Sequence, residues 1–123
     1  ENVLRRGEII TAVKIPAQGK NVKSWYIKQG ERASFDWALA DVAVVLELSG
    51  KRVRKAAIAM GAASPVPVRS KEAEAFITGK DINSANATEA AQKAIEKATP
   101  LAKNGYKVDL FKSIVKRALL ESV

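Results

Sequence analysis

The sequence contains no cysteine and no histidine. Their absence removes thiolate and imidazole ligation of a metal and iron–sulfur ligation within the chain. It also removes a Ser–His or Cys–His nucleophile pair. No disulfide can form, so cysteine usage says nothing about compartment. No apolar run approaches the roughly 18 residues that a bilayer-spanning helix needs, and no signal-peptide pattern occurs. The seven glycines stand singly. Neither G-x-G-x-x-G nor G-x-x-x-x-G-K-[ST] is found, so the chain shows no phosphate-cradling loop. Acidic residues are the minority, 13 against 21 Lys and Arg, giving a formal charge of +8.

The apolar share, 47% of 123 residues, is enough for one domain with a real core. The basic balance suits a nucleic acid, an acidic membrane face or an acidic protein partner. A solvated lysine-rich surface is the plainer reading of the same numbers. The chain opens on Glu1 rather than Met, as expected of a piece of a longer or processed protein.

Read in order, residues 8–15 (Glu-Ile-Ile-Thr-Ala-Val-Lys-Ile) are rich in β-branched residues and stop at Pro16. Ile9, Thr11, Val13 and Ile15 share one face of the strand this predicts. Residues 16–21 read as a turn, and 22–28 as a second strand, most simply antiparallel to the first. A charged loop follows from Gln29 to Asp36, where Ser34 or Asp36 could cap a short turn or helix running to Ala40. Residues 42–48 are almost continuously apolar, as a central strand would be. Ser49-Gly50-Lys51 has hairpin chemistry, and 52–60 completes a fourth strand with an exposed basic start. Two prolines make 61–69 a connector.

Three helices are predicted next. The first covers 71–78, with Ser70 as N-cap and Gly79 as stop. The second is an alanine-faced segment after a capping box at Asn86–Glu89, ended by Pro100. The third covers about 107–121, with Leu110, Phe111, Ile114, Val115, Ala118 and Leu119 as its stripe. Strands grouped before helices predict an α+β fold: an antiparallel sheet of three to four strands with about three helices packed on one face, in a single domain over 1–123.

The residues offering chemistry are few. Tyr26-x-Lys28-x-x-x-Arg32 places a phenol, an ammonium and a guanidinium at a strand end and on the next loop. Such a trio can bond to and stack on a planar anionic ligand. It can equally be a half-buried tyrosine beside two solvated cations. Trp25 and Trp37 read as core or interface anchors more than ligand platforms. Lys51, Arg52, Arg54 and Lys55 crowd one hairpin tip without interleaved aromatics, the pattern of a charge-protected sheet edge. Asp36 and Asp41 read as turn or cap residues. No catalytic residue and no metal ligand is assigned.

The run Leu4-Arg5-Arg6-Gly7-Glu8-Ile9-Ile10-Thr11-Ala12-Val13-Lys14-Ile15-Pro16 resembles the opening of the C-terminal domain in the FAD-binding medium subunit of the xanthine dehydrogenase and carbon monoxide dehydrogenase family. The resemblance continues through Tyr26-x-Lys28-x-x-x-Arg32, Phe35-Asp36-x-Ala38, Val42-Ala43, Gly50-x-x-Val53, Ala56-x-Ile58-Ala59, Gly61 to Pro67, Arg69, Ala90-Ala91, Pro100, Tyr106 and Arg117-Ala118-Leu119. It covers essentially the whole chain as an ordered set.

The resemblance implies one domain of a multi-subunit molybdenum hydroxylase, in which electrons pass from a molybdopterin subunit through a [2Fe–2S] subunit to FAD and an external acceptor. It implies an N-terminal FAD-binding domain that is absent from this chain and against which this domain packs. Tyr26, Lys28, Arg32 and Asp36 would then flank the flavin ring or its acceptor side. The chain alone is not expected to hold FAD or to catalyse, and a cytoplasmic location is expected. The Gly30-Glu31 pair departs from some family versions of this loop, which leaves loop-specific roles such as NAD binding open. The competing reading is a stand-alone basic interaction or nucleic-acid-binding module without catalysis.

Overall fold

The computed structural model describes residues 3–32 and 35–123. A four-stranded antiparallel sheet runs in the order β1 (Val22–Gln29), β2 (Ala40–Ser49), β3 (Arg52–Gly61) and β4 (Val68–Arg69). Three helices follow: α1 (Lys71–Ile77), α2 (Ser84–Ala94) and α3 (Tyr106–Glu121). The α+β architecture is the one the sequence predicts.

β2 is the spine. Ala40, Val42, Val44, Leu46 and Leu48 are buried, while alternate residues are half-buried or exposed. This is the signature of a sheet covered on one face only. β3 buries Val53, Ala56, Ile58 and Met60. The step from 53 to 56 breaks the period of two because the β2–β3 register shifts between Glu47 and Leu48. That bulge leaves Arg54 opposite no partner and returns the apolar residues to the helix side. The hairpin closes on Gly50, at φ +61° in the first turn position, the backbone that a II′ turn demands of glycine.

The helices seal the inner face. Ser70 caps α1 by accepting a bond from Ala73 N at 3.3 Å. Ala73 and Ile77 are buried on its sheet side. Ala87, Ala90 and Ala91 give α2 a small face that admits α3 closely, and α3 buries Phe111, Ile114, Val115, Ala118 and Leu119. The loop between α1 and α2 is tied to the start of β3: Val53 N donates to Lys80 O at 2.9 Å, and Gly79 N to Val53 O at 2.8 Å.

The structure corrects several expectations. Residues 8–15 form no strand; the four-strand count is completed by the two-residue edge β4. β4 lies within the proline-rich connector, and prolines are tolerated beside an edge. The α2 cap is Asn83, which accepts from Asn86 N at 2.8 Å, not Asn86. Asn86 is instead inside the first turn and donates to Asp81 O. The helix ends at Ala94, six positions before Pro100. No helix forms among the described residues between Phe35 and Ala40, and Ser34 lies outside them.

Candidate functional site

On β1 the side chains alternate between two environments. Ile27 is buried toward the helices, and Trp25 on the same side donates its Nε1 to Glu121 Oε2 of α3 at 2.8 Å. Tyr26 and Lys28 therefore stand on the opposite, uncovered face. Their cross-strand partners are Ala43 and Asp41 of β2, which in turn pair with Ala59 and Gly61 of β3. The uncovered face is thus paved with small residues, Ala43, Ala57, Ala59 and Gly61, beside Val45 and a Tyr26 that is 58% exposed. A shallow depression of about 430 Å³ follows Ser24, Tyr26, Ala43 and Val45 across this face.

Asp41 sits in the middle of that end of the sheet. A Cβ on Gly61 would fall 2.2 Å from the Asp41 carboxylate, so any side chain there would force Asp41 out of its present position. Tyr26 titrates above the ordinary tyrosine value, first through desolvation and then through the Asp41 charge. The sequence reading of Asp41 as a turn or cap residue is therefore corrected: it is a strand residue on the open face, one pair across from Lys28.

The loop after β1 is closed at its base by Leu39 N donating to Gln29 O at 2.8 Å. Lys28 reaches back to it and donates from Nζ to the Asp36 carbonyl at 2.5 Å. Its ammonium also lies 6.0 Å from the centre of the Phe35 ring. The Asp36 carboxylate accepts from Trp37 N at 2.8 Å, fixing the turn. Of the four predicted site residues, Lys28 and Asp36 are in direct contact, and Tyr26 lies beside them on the same face. Arg32 is exposed on the loop and has no ion pair or hydrogen-bond partner among the described residues.

Two aromatics at this loop were not assigned to the site from sequence. Phe35 is fully exposed and Trp37 is 92% exposed. Trp37 is thus not a core residue. An indole this open beside an uncovered face suits an interface anchor. A larger cavity of about 450 Å³ lies on the helix side of the sheet, between Met60, Val68, Ile95 and Phe111, away from this group. Among the described residues no cluster of Asp and Glu could hold a metal, and no helix is long and apolar enough to cross a membrane.

The site thus combines the Lys28 ammonium, the Asp41 carboxylate paired across from it, an exposed phenol, exposed aromatics and an open sheet face of small residues, with Arg32 on the loop beside it. Comparison with known proteins gives this arrangement its context. Residues 25–122 match the model of the CO dehydrogenase flavoprotein C-terminal domain. The carbon monoxide dehydrogenase medium chain of Hydrogenophaga pseudoflava is 30% identical over 121 residues, covering 95% of this chain and 42% of that protein. The glyceraldehyde dehydrogenase medium chain of Sulfolobus acidocaldarius is 30% identical over 95 residues, covering 77% of this chain and 33% of that protein. In structure, the Hydrogenophaga pseudoflava carbon monoxide dehydrogenase superposes with a TM-score of 0.80 at 31% identity, over 88% of this chain and 39% of that one. The chain therefore spans well under half the length of the relatives it matches. It belongs to the CO dehydrogenase flavoprotein C-terminal domain family, the C-terminal domain of the flavoprotein subunit of molybdenum hydroxylases.

Proposed function

We propose that this domain packs on an N-terminal FAD-binding domain of the same subunit and flanks the isoalloxazine while electrons pass from iron–sulfur clusters to an external acceptor. The observation that carries the reading is the juxtaposition of Lys28, Tyr26 and two exposed aromatics at the end of an otherwise uncovered apolar sheet face. These residues fit one wall of a planar, anionic-when-reduced group. They do not form a closed pocket, so the other wall belongs to another domain. FAD, when bound, supplies the two-electron to one-electron exchange that such a relay needs.

This chain's contribution is orientation and charge. The Lys28 ammonium is anchored by the Asp36 carbonyl and has further N–H donors to offer a ring edge. Its charge favours the negatively charged state of a neighbouring ring. Tyr26 can donate through its hydroxyl, and its raised pKa keeps that proton in place at neutral pH. Arg32 and the Asp36 turn border the approach from solvent. Partnership with molybdopterin and [2Fe–2S] subunits is the assembly this role requires, and a cytoplasmic location is proposed with it. The stand-alone basic-module reading gains no support from the family match.

The test uses the full-length subunit. Lys28→Ala should lower flavin content and shift the flavin potential downward, because the charge that favours the reduced anion is gone. Tyr26→Phe should weaken flavin retention to a smaller degree. Unchanged flavin affinity and potential in both variants would refute the site.

A further inference from the structure

We propose that the cavity of about 450 Å³ on the helix side of the sheet is a binding site for a small aromatic carboxylate, with Lys107 as the residue that receives the carboxylate. The site goes beyond the flavin reading and does not rest on it. Folded interiors hold few voids larger than a water molecule. An opening of this size falls instead in the range of small-molecule sites, about 300–1,000 Å³.

The gap has a structural cause. α2 ends at Ala94 and α3 starts at Tyr106, so the helix layer is interrupted between them. The connector lines the gap with Ala98, Thr99, Pro100 and Asn104, whose side chains are too short to fill it. Leu101, a large aliphatic of the same connector, stays exposed. The floor is formed by the buried Met60 of β3 and Phe111 of α3. A phenyl ring and a thioether both favour an aromatic neighbour.

The rim is cationic. Arg69, Lys71, Lys97 and Lys107 line it against one lining carboxylate, Glu72. Three of these cations are engaged by carboxylates. Arg69 and Lys71 contact Glu74 at 2.8 and 3.5 Å. Lys97 pairs with Glu72, tying the connector to α1. Lys107 is half-buried, and among the described residues no carboxylate pairs with it. Its Nζ donates instead to Ala62 O at 2.7 Å and keeps further N–H donors. Among the described residues Ala62 is the non-glycine position with positive φ, at +56°. Such a backbone is costly for alanine and is found preferentially at ligand sites. A half-buried ammonium beside an apolar floor suits an anion carried on an apolar body. One ammonium without a carboxylate matches a monoanion. A phosphate would call for several, and the other three are occupied.

Isothermal titration of the full-length subunit with 2-naphthoate tests the proposal. One saturable site is expected, with a Kd below about 1 mM. The neutral isostere 2-naphthylmethanol should bind at least about 10-fold more weakly, since it lacks the charge-assisted bond. Lys107→Met should weaken 2-naphthoate binding by at least about 10-fold and leave flavin content unchanged. Ala98→Phe, which fills the cavity from the connector, should abolish binding of both compounds. Equal affinity for the two compounds, or 2-naphthoate binding that survives both substitutions, would overturn the proposal. So would the absence of saturable binding up to about 10 mM in the folded subunit. A lowered Tm of Ala98→Phe alongside that absence would assign the cavity to a segment of the neighbouring domain instead.

Discussion

Glu74 offers the sharpest test of how this domain is held together. It is a charged residue only 7% exposed, between α1 and the end of β3. Its Oε1 accepts from Ile58 N and Arg69 Nε at 2.9 Å each, and its Oε2 from Arg69 Nη2 at 2.8 Å. Lys71 adds a looser contact at 3.5 Å. The carboxylate thus completes the ladder where β3 would otherwise leave a main-chain donor unmet. Glu74→Ala would strand the Ile58 N–H in the core, at about 1–3 kcal/mol. The Arg69 pair adds about 1 kcal/mol at most, because the guanidinium side chain is 49% exposed and rehydrates when freed. We expect a loss of about 2–3 kcal/mol at neutral pH, read as a lowered urea midpoint with unchanged slope.

The pH dependence supplies a second check on Glu74. Burial pushes its pKa up, but the Ile58 N–H and Arg69 outweigh burial and hold it below the usual glutamate range. A depressed folded-state pKa gives stability that is fully present above the unfolded value and lost as pH falls through the folded one. The gap between the wild type and Glu74→Gln should therefore be widest at neutral pH and close as pH drops below about 4.3, the ordinary glutamate value. A loss under about 0.5 kcal/mol for Glu74→Ala, the level of ordinary surface changes, or a pH-independent gap for Glu74→Gln, would refute this account of the network.

Three further outcomes follow from the same structure. Leu46→Ala, at a fully buried β2 position, should cost about 2–5 kcal/mol, whereas Val45→Ala one residue away on the open face should cost under about 1 kcal/mol in the isolated chain; chemical denaturation of the pair checks the alternation of β2. Ser70→Ala and Asn83→Ala each remove a helix cap that is in place and should cost about 1 kcal/mol apiece, while Asn86→Ala leaves the α2 cap intact and should cost less than Asn83→Ala in the same melts. The Tyr26 phenol should titrate above the ordinary value by near-ultraviolet absorbance, and Asp41→Asn should move it back part of the way, since desolvation remains when the charge is gone.

Much of the fold was legible because its signals are local. The near-continuous apolar run of β2, the Ser49-Gly50-Lys51 turn, the Ser70 and Gly79 helix limits and the α3 stripe each sit within one turn or one strand of the residues they control. Asn83 was missed because two asparagines three residues apart offer similar caps, and the choice depends on Asp81, whose carbonyl takes the Asn86 amide. Asp41 read as a turn residue because nothing near it in sequence reveals Gly61 across the sheet. Trp37 read as an anchor of either kind, and its exposure removes it from the core of this domain. Glu74 carried no sequence signal at all, since its partners are a main-chain donor 16 residues away and an arginine on an edge strand.

The sequence by itself determined the fold class, the absence of thiol and imidazole chemistry, and the cluster of chemical groups from Tyr26 to Asp36, because composition and short-range spacing are sufficient for each. Tertiary structure decided which face of the sheet stays bare, that Lys28 is held by the Asp36 carbonyl and not by its carboxylate, and that residues 9–15 join no strand and make no hydrogen bond among the described residues. Those outcomes depend on strand register and on where the helix layer stops. Both are set by contacts between residues far apart in the chain, which no local pattern encodes.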